Sequence, residues 1–153
     1  MKISQRNIVG LITVIASALG CLMGIGLLTK NEGGVHWSLA LIWMSLFGLG
    51  GWAGFNLIKH KTGLLGPALT FWLLQVPFFQ NSFMCFSFST GLAAIVAYHP
   101  SQIKFDLFLL VGSRLEYAVL NPVPSSMIGI NVFALIIVFF ICMQLAHSKD
   151  HVF

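Results

Sequence analysis

Phe83-Met84-Cys85-Phe86-Ser87-Phe88-Ser89-Thr90-Gly91 is the stretch on which the architecture turns. Met84, Phe86 and Phe88 alternate with Cys85, Ser87 and Ser89, the two-residue period of a strand with unlike faces, and Thr90-Gly91 follows as a turn. As a helix, Phe83 to Tyr98 would add a membrane span. Serine-rich alternation is poor helix sequence, and two spans between Thr62 and Ile103 would each sit at the lower length limit for crossing a bilayer. The spacing therefore predicts strands.

Further along, the alternation recurs. His99-Pro100-Ser101 breaks the chain, after which Ile103, Phe105, Leu107, Leu109 and Val111 share one face with Lys104 and Asp106 opposite. Gly112-Ser113 offers a turn, and Leu115, Tyr117 and Val119 then alternate with Arg114 and Glu116. A β-hairpin is expected, with Lys104/Asp106 and Arg114/Glu116 placed for cross-strand ion pairs. Asn121-Pro122-Val123-Pro124 closes a β-rich insertion over 83–120.

Outside this insertion the chain consists of long uncharged runs. Of its 153 residues 58% are hydrophobic and 8% charged, and a soluble domain of this size has too little interior for that much apolar surface. Ile8–Leu28 and Ser38–Ile58 are 21 residues each, enough to span about 30 Å as helix. Gly63–Phe79, with Pro67 near its start and Pro77 near its end, reads as a third helix, and Met127–Ala146 as a fourth. The expected fold is an all-α integral membrane protein, one domain over 1–153. Its transmembrane helices fall at about 8–28, 38–58, 63–79 and 127–146, with the β-rich insertion before the last. Ala16-Ser17-Ala18 and Gly20-Cys21 imitate a signal-peptide cleavage site and a lipobox, but the apolar run continues to Leu28. The first helix is therefore expected to be retained.

The formal charges lie between these runs. With four helices, Lys2, Arg6, Lys59, Lys61 and Lys149 fall on one side and Lys30, Lys104 and Arg114 on the other. The positive-inside bias then points to a multi-pass protein of a bacterial inner membrane with both termini cytoplasmic. A five-helix arrangement, with Phe83–Tyr98 as a span, shifts that balance to six against two. No basic patch exists beyond Lys59-His60-Lys61, so nucleic acid is not an expected partner.

Chemistry-bearing residues are few. No charge falls inside a predicted helix, which argues against proton-coupled transport. Asn56, Gln75, Asn131 and Gln144 are the polar side chains of the spans. Such amides bond a neighbouring helix or line a pore between copies, with Gln75 and Asn131 the deeper pair. Gly20 with Gly24 and Gly50 with Gly54 have the small-xxx-small spacing that lets helices approach closely, within a chain or between subunits. His36, His60, His99, His147 and His151 lie at loops or ends, unsuited to haem ligation in facing helices, and His147 with His151 reads as a solvated tail. Cys21, Cys85 and Cys142 form no metal or redox spacing. His99, Asp106 and Ser101 are the residue types of a hydrolase triad, with no spacing that assembles one. GxSxG and HExxH motifs are absent. The expectation is a non-enzymatic membrane subunit without catalytic or metal residues or a cofactor. It would be homo-oligomeric in the lipid bilayer, anchoring or sensing for a cytosolic or membrane partner protein, as in bacterial defence or immunity operons. The alternative is an oligomeric channel or membrane-permeabilising effector.

Overall fold

The computed structural model describes residues 5–29, 34–59, 65–119 and 126–149. The elements run α1 (Gln5–Thr29), α2 (Gly34–Ile58), α3 (Leu65–Leu73), β1 (Pro77–Gln80), β2 (Met84–Ser89), β3 (Leu92–His99), β4 (Lys104–Val111), β5 (Arg114–Val119), β6 (Met127–Asn131) and α4 (Val132–Lys149).

α1 and α2 have 25 residues each and form an antiparallel hairpin. Each is about 37 Å long at 1.5 Å per residue. Arg6, Gly10, Thr13, Ser17, Gly20 and Gly24 recur at alternating steps of four and three, which puts them on one face of α1. That face meets α2: Gly10 lies against Gly54 and Ile58, Gly20 against the Phe47 ring, and Gly24 against Trp43. A β-carbon on Gly54 would stand 2.8 Å from the Gly10 carbonyl oxygen, so the two backbones are nearly in contact. Trp43 Nε1 donates to the Gly20 carbonyl at 2.7 Å and ties the helices together at mid-length.

The expectation of a four-span all-α protein is overturned. Among the described residues only α1 and α2 are long and apolar enough to cross a membrane, through Gln5–Gly26 and Ala40–Ile58. The helix expected over 63–79 is only the nine residues of α3. Pro77 drives the residue before it out of the helical region, so the chain turns after Leu73 and Pro77–Gln80 becomes a strand. The helix expected over 127–146 loses its first turn in the same way. Gly129 lies between β1 and β3 where a β-carbon would meet the Val96 carbonyl oxygen at 2.8 Å. Asn131 then converts strand to helix, its Oδ1 accepting the Ala134 N–H at 3.3 Å as an N-cap. The apolar part of α4, Val132–Ala146, falls short of a full span.

β2, β4 and β5 occupy the positions that the alternation indicated, but their pairing differs. One antiparallel sheet has the order β4-β3-β6-β1-β2-β5. β4 pairs with β3 and β5 with β2, so the expected β4–β5 hairpin does not form and the two strands are the sheet's opposite edges. The β-rich part is no insertion either: it recruits segments from both flanks, β1 and β6, as its central strands.

Chain length then dictates the sheet's shape. In a flat sheet the edges would lie about 24 Å apart at ~4.8 Å per strand. Only Gly112 and Ser113 join β4 to β5, and such a link reaches about 11 Å at 3.8 Å per residue. The sheet must therefore curl into an open barrel. Thr90 and Gly91 make a second short link at the same end, and Gly112 N donates to Gly91 O at 2.6 Å where the two links cross. Gly91 and Gly112 have φ of +70° and +121°, conformations that a side chain would strain. A narrow barrel admits mostly small inward groups, and Ala93, Ala97, Cys85, Ser87 and Ser89 supply them, with Phe78 and Ile95 filling the remainder.

The barrel meets the helices through aromatic packing. Phe88, at the linked end of β2, lies edge-on between Phe47 of α2 and Phe71 of α3, with ring centroids 5.6 and 5.8 Å away. Trp72 packs on Phe133 of α4 and donates from Nε1 to Thr13 Oγ1 at 3.0 Å. This cluster, at mid-height of α1 and α2, is the main core.

Candidate functional site

The surface is inverted relative to that of a water-soluble protein. On α1 and α2 four polar side chains point inward, Thr13 at 0% exposed, Ser17 1%, Asn56 4% and Arg6 9%, while Ser45 is exposed and bonds Leu41 O of its own helix. Facing outward are Ile8, Leu11, Ile15, Leu19 and Leu22 of α1 and Leu41, Leu49, Trp52 and Phe55 of α2, all exposed. α4 adds exposed Met143 and, around a wholly apolar groove, Leu135, Ile136 and Phe139. The outer face of the barrel continues the pattern at its linked end, where Leu92, Leu107, Leu109 and Val111 are exposed.

At its far end the barrel carries a charged cluster, beside exposed Phe83 and Ile103. Lys104 Nζ donates to Asp106 Oδ1 at 2.8 Å, and His99 Nε2 lies 3.0 Å from Asp106 Oδ2. The hydrogen bond from Lys104 holds the Asp106 carboxyl below the usual carboxylate range, aided by the charges of Lys104 and His99. These are contacts along β4 and between β3 and β4, because the intended partner strand β5 lies at the other edge. The side chain of Glu116 lies outside the described residues. His99 and Asp106 thus meet, while Ser101 is exposed in the following turn with no contact to either, so no triad assembles. The Tyr98 and Phe105 rings pack at 4.9 Å on the same strand pair, at the register step between His99/Lys104 and Asp106.

The amides expected in the spans are placed as follows. Asn56 is buried and its Nδ2 donates 2.7 Å to Trp52 O on its own helix. Gln75, 1% exposed, follows α3 and fastens the barrel link: its Oε1 accepts from Thr90 N at 3.0 Å and Thr90 Oγ1 at 2.9 Å, while Nε2 donates to Phe71 O at 3.3 Å. Asn131 caps α4 and its Oδ1 also accepts from Ala94 N at 3.2 Å. Gln144 is half-buried and lines a small cavity with Arg6, Leu57 and Ile141. Gln75 and Asn131 therefore tie the barrel to the helices, and neither opens onto a channel within the chain.

Gly20, Gly24, Gly50 and Gly54 are covered from within the chain by Phe47, Trp43, Phe71 with Ser17, and Gly10 with Thr13. Any contact between copies would use other surfaces.

One residue escaped the sequence analysis. Arg6 counted as a charge flanking the first span, yet it lies within α1 and is buried. The four-and-three stripe of small residues running from Gly10 to Gly24 was the available signal, because Arg6 extends it by one step. Its Nε donates 3.1 Å to Leu57 O, one of the carbonyls left open at the end of α2.

No family model, curated protein or solved structure matches the chain.

Proposed function

We propose that the chain is a non-enzymatic membrane anchor: the α1–α2 hairpin sits in the lipid and carries the open barrel as the element that binds a partner protein. The inversion of the hairpin carries this proposal. Water would not tolerate so much exposed leucine, isoleucine and aromatic surface along two helices that bury Arg6, Thr13, Ser17 and Asn56. Lipid favours this arrangement, because the outward leucines meet hydrocarbon while Thr13, Asn56 and Arg6 Nε bond helix carbonyls inside.

The barrel fits the same setting. Ser113 Oγ lies 3.5 Å from Ala16 O, and a β-carbon on Gly91 would stand 3.0 Å from Ala16 Cβ, near the middle of α1, so the linked end of the barrel lies at mid-depth of the hairpin. Its outer face is apolar there, while the far end carries the charged cluster of His99, Lys104 and Asp106 beside exposed Phe83 and Ile103. The far end is the part available to a partner protein. A channel has less support, since Gln75 and Asn131 are engaged inside the chain.

Fractionation of cells expressing the chain tests this proposal. The protein is expected in the membrane pellet after alkaline carbonate, and Leu11→Arg with Leu41→Arg is expected to release or destabilise it. Recovery of wild type as a monodisperse species in the detergent-free supernatant would rule the anchor out.

A further inference from the structure

β4 is the longer of the sheet's two edge strands, and among the described residues it pairs with β3 alone. Two hydrogen bonds show which of its backbone groups are left over. Gly112 N donates to Gly91 O one step beyond the Leu92–Val111 pair, and Ala94 N reaches Asn131 Oδ1 on the β6 side of β3. Antiparallel ladders alternate, so Lys104, Asp106, Phe108 and Leu110 take the bonds to β3. The N–H and C=O groups of Phe105, Leu107, Leu109 and Val111 are then turned to the open edge. No hydrogen bond reaches these four from elsewhere among the described residues. Their side chains are exposed, and so is Phe108 on the other face, whereas Ala93, Ile95 and Ala97 of β3 are buried. Charge stands at one end of this edge only, as Lys104 and Asp106, and Leu107 to Val111 is uncharged.

We propose that β4 receives an extended segment of the partner protein as an added strand, uncharged and apolar where it runs beside Leu107–Val111. The assignment rests on the membrane reading above, which sets the linked end of β4 at mid-depth of the hairpin. At that depth acyl chains offer the free amides and carbonyls nothing, and an open sheet edge is not stable in hydrocarbon. A helix has no spare backbone groups to give. An extended chain bonds every second residue of β4, and the apolar side chains on both faces select apolar neighbours across the pair. A second copy is a poor fit for this edge. Pairing β4 with β4 antiparallel needs a two-fold axis perpendicular to the sheet, which would send the two hairpins into the membrane in opposite senses. The segment therefore belongs to another chain, and leaves toward water at the Lys104–Asp106 end.

The probe is a fluorescent peptide of alternating leucine and valine, matched to the length of β4 and capped at both ends. Its binding to the full chain in lipid nanodiscs is measured as the excess over empty discs. The peptide is expected to bind wild type, and the same peptide N-methylated at every amide is expected not to. Leu109→Pro removes one outward N–H and leaves the bonds to β3, so it should weaken binding about tenfold with little change in the unfolding midpoint. The N-methylated peptide needs no variant, which keeps the test decisive if Leu109→Pro does not fold. Equal binding of the two peptides would overturn the site, as would undiminished binding to Leu109→Pro or none above empty discs. So would a wild-type chain that self-associates and loses this in Leu109→Pro, because the edge would then belong to a second copy. Carbonate extraction of the same chain separates this failure from failure of the anchor: a membrane-retained protein that binds neither peptide loses the strand site and keeps the anchor.

Discussion

The helical hairpin and the barrel are held together by different means. Between α1 and α2 the contacts are steric: glycines admit the rings of Phe47 and Trp43, and one indole bond fixes the register. The barrel is held by backbone ladders and fastened to the helices by a few amide bonds from Gln75 and Asn131, with Phe88 packed between Phe47 and Phe71. The hairpin should therefore be most sensitive to volume, and the barrel to loss of specific acceptors.

The largest expected effect is at Gly20. A β-carbon there would collide with the Phe47 ring, so Gly20→Leu is expected to cost about 3 kcal/mol or more, read as a fall in the unfolding midpoint in detergent. Because the obstacle is a side chain, Phe47→Ala in the same chain should recover part of that loss, a coupling that a double-mutant cycle measures. Gly129→Ala should show no such rescue, since its obstacle is the Val96 carbonyl. Additive losses at Gly20 and Phe47 would break the steric account of the hairpin.

Next comes the fastening of the barrel. Gln75→Leu leaves both the N–H and the hydroxyl of buried Thr90 without their acceptor, and is expected to cost about 2–3 kcal/mol. Asn131→Ala removes a helix cap and should cost about 1–2 kcal/mol. Asn56→Leu should fall below both, because that amide bonds only a carbonyl of its own helix. Hydrogen exchange sharpens the comparison: Gln75→Leu should speed exchange in β2 and β3 before it affects α1.

A smaller effect is expected with pH. Asp106 has its folded pKa below the unfolded value of about 3.9. Its contribution is thus present above that value and is lost as pH falls through the folded pKa. Melts between pH 6 and about pH 2 should show the loss in wild type and a flatter profile in Asp106→Asn, with exposure keeping the difference small. The smallest change runs the other way. Ile103, exposed in the β3–β4 turn, has φ of +51°, which a β-branched residue adopts with strain. Ile103→Asn should raise stability by about 1 kcal/mol, seen as a higher midpoint.

How much of this was legible depends on the range of each signal. The two long helices show as uncharged runs, and β2, β4 and β5 as alternation, because side-chain period belongs to the local backbone. β1 and β6 were hidden inside runs that read as helices over 63–79 and 127–146. Phe78, Phe79, Ile128 and Ile130 are as apolar as any span, and apolarity does not distinguish a buried strand from a helix. Gln75 and Asn131 stood out as isolated amides, but their acceptor roles depend on Thr90 and Ala94, 15 and 37 residues away.

By itself, then, the sequence determined a chain with a strongly apolar surface, two helices of membrane-spanning length and a set of short strands, since composition and period need no partner to be expressed. Tertiary structure alone decided that β4 and β5, joined by two residues, would not pair but would sit at opposite edges of a curled sheet. It also decided that Arg6 would be buried among four helix ends instead of flanking a span. The physical reason is the same in both cases. Pairing and burial depend on which distant surfaces come together, and a two-residue turn or a single flanking arginine is locally compatible with several outcomes.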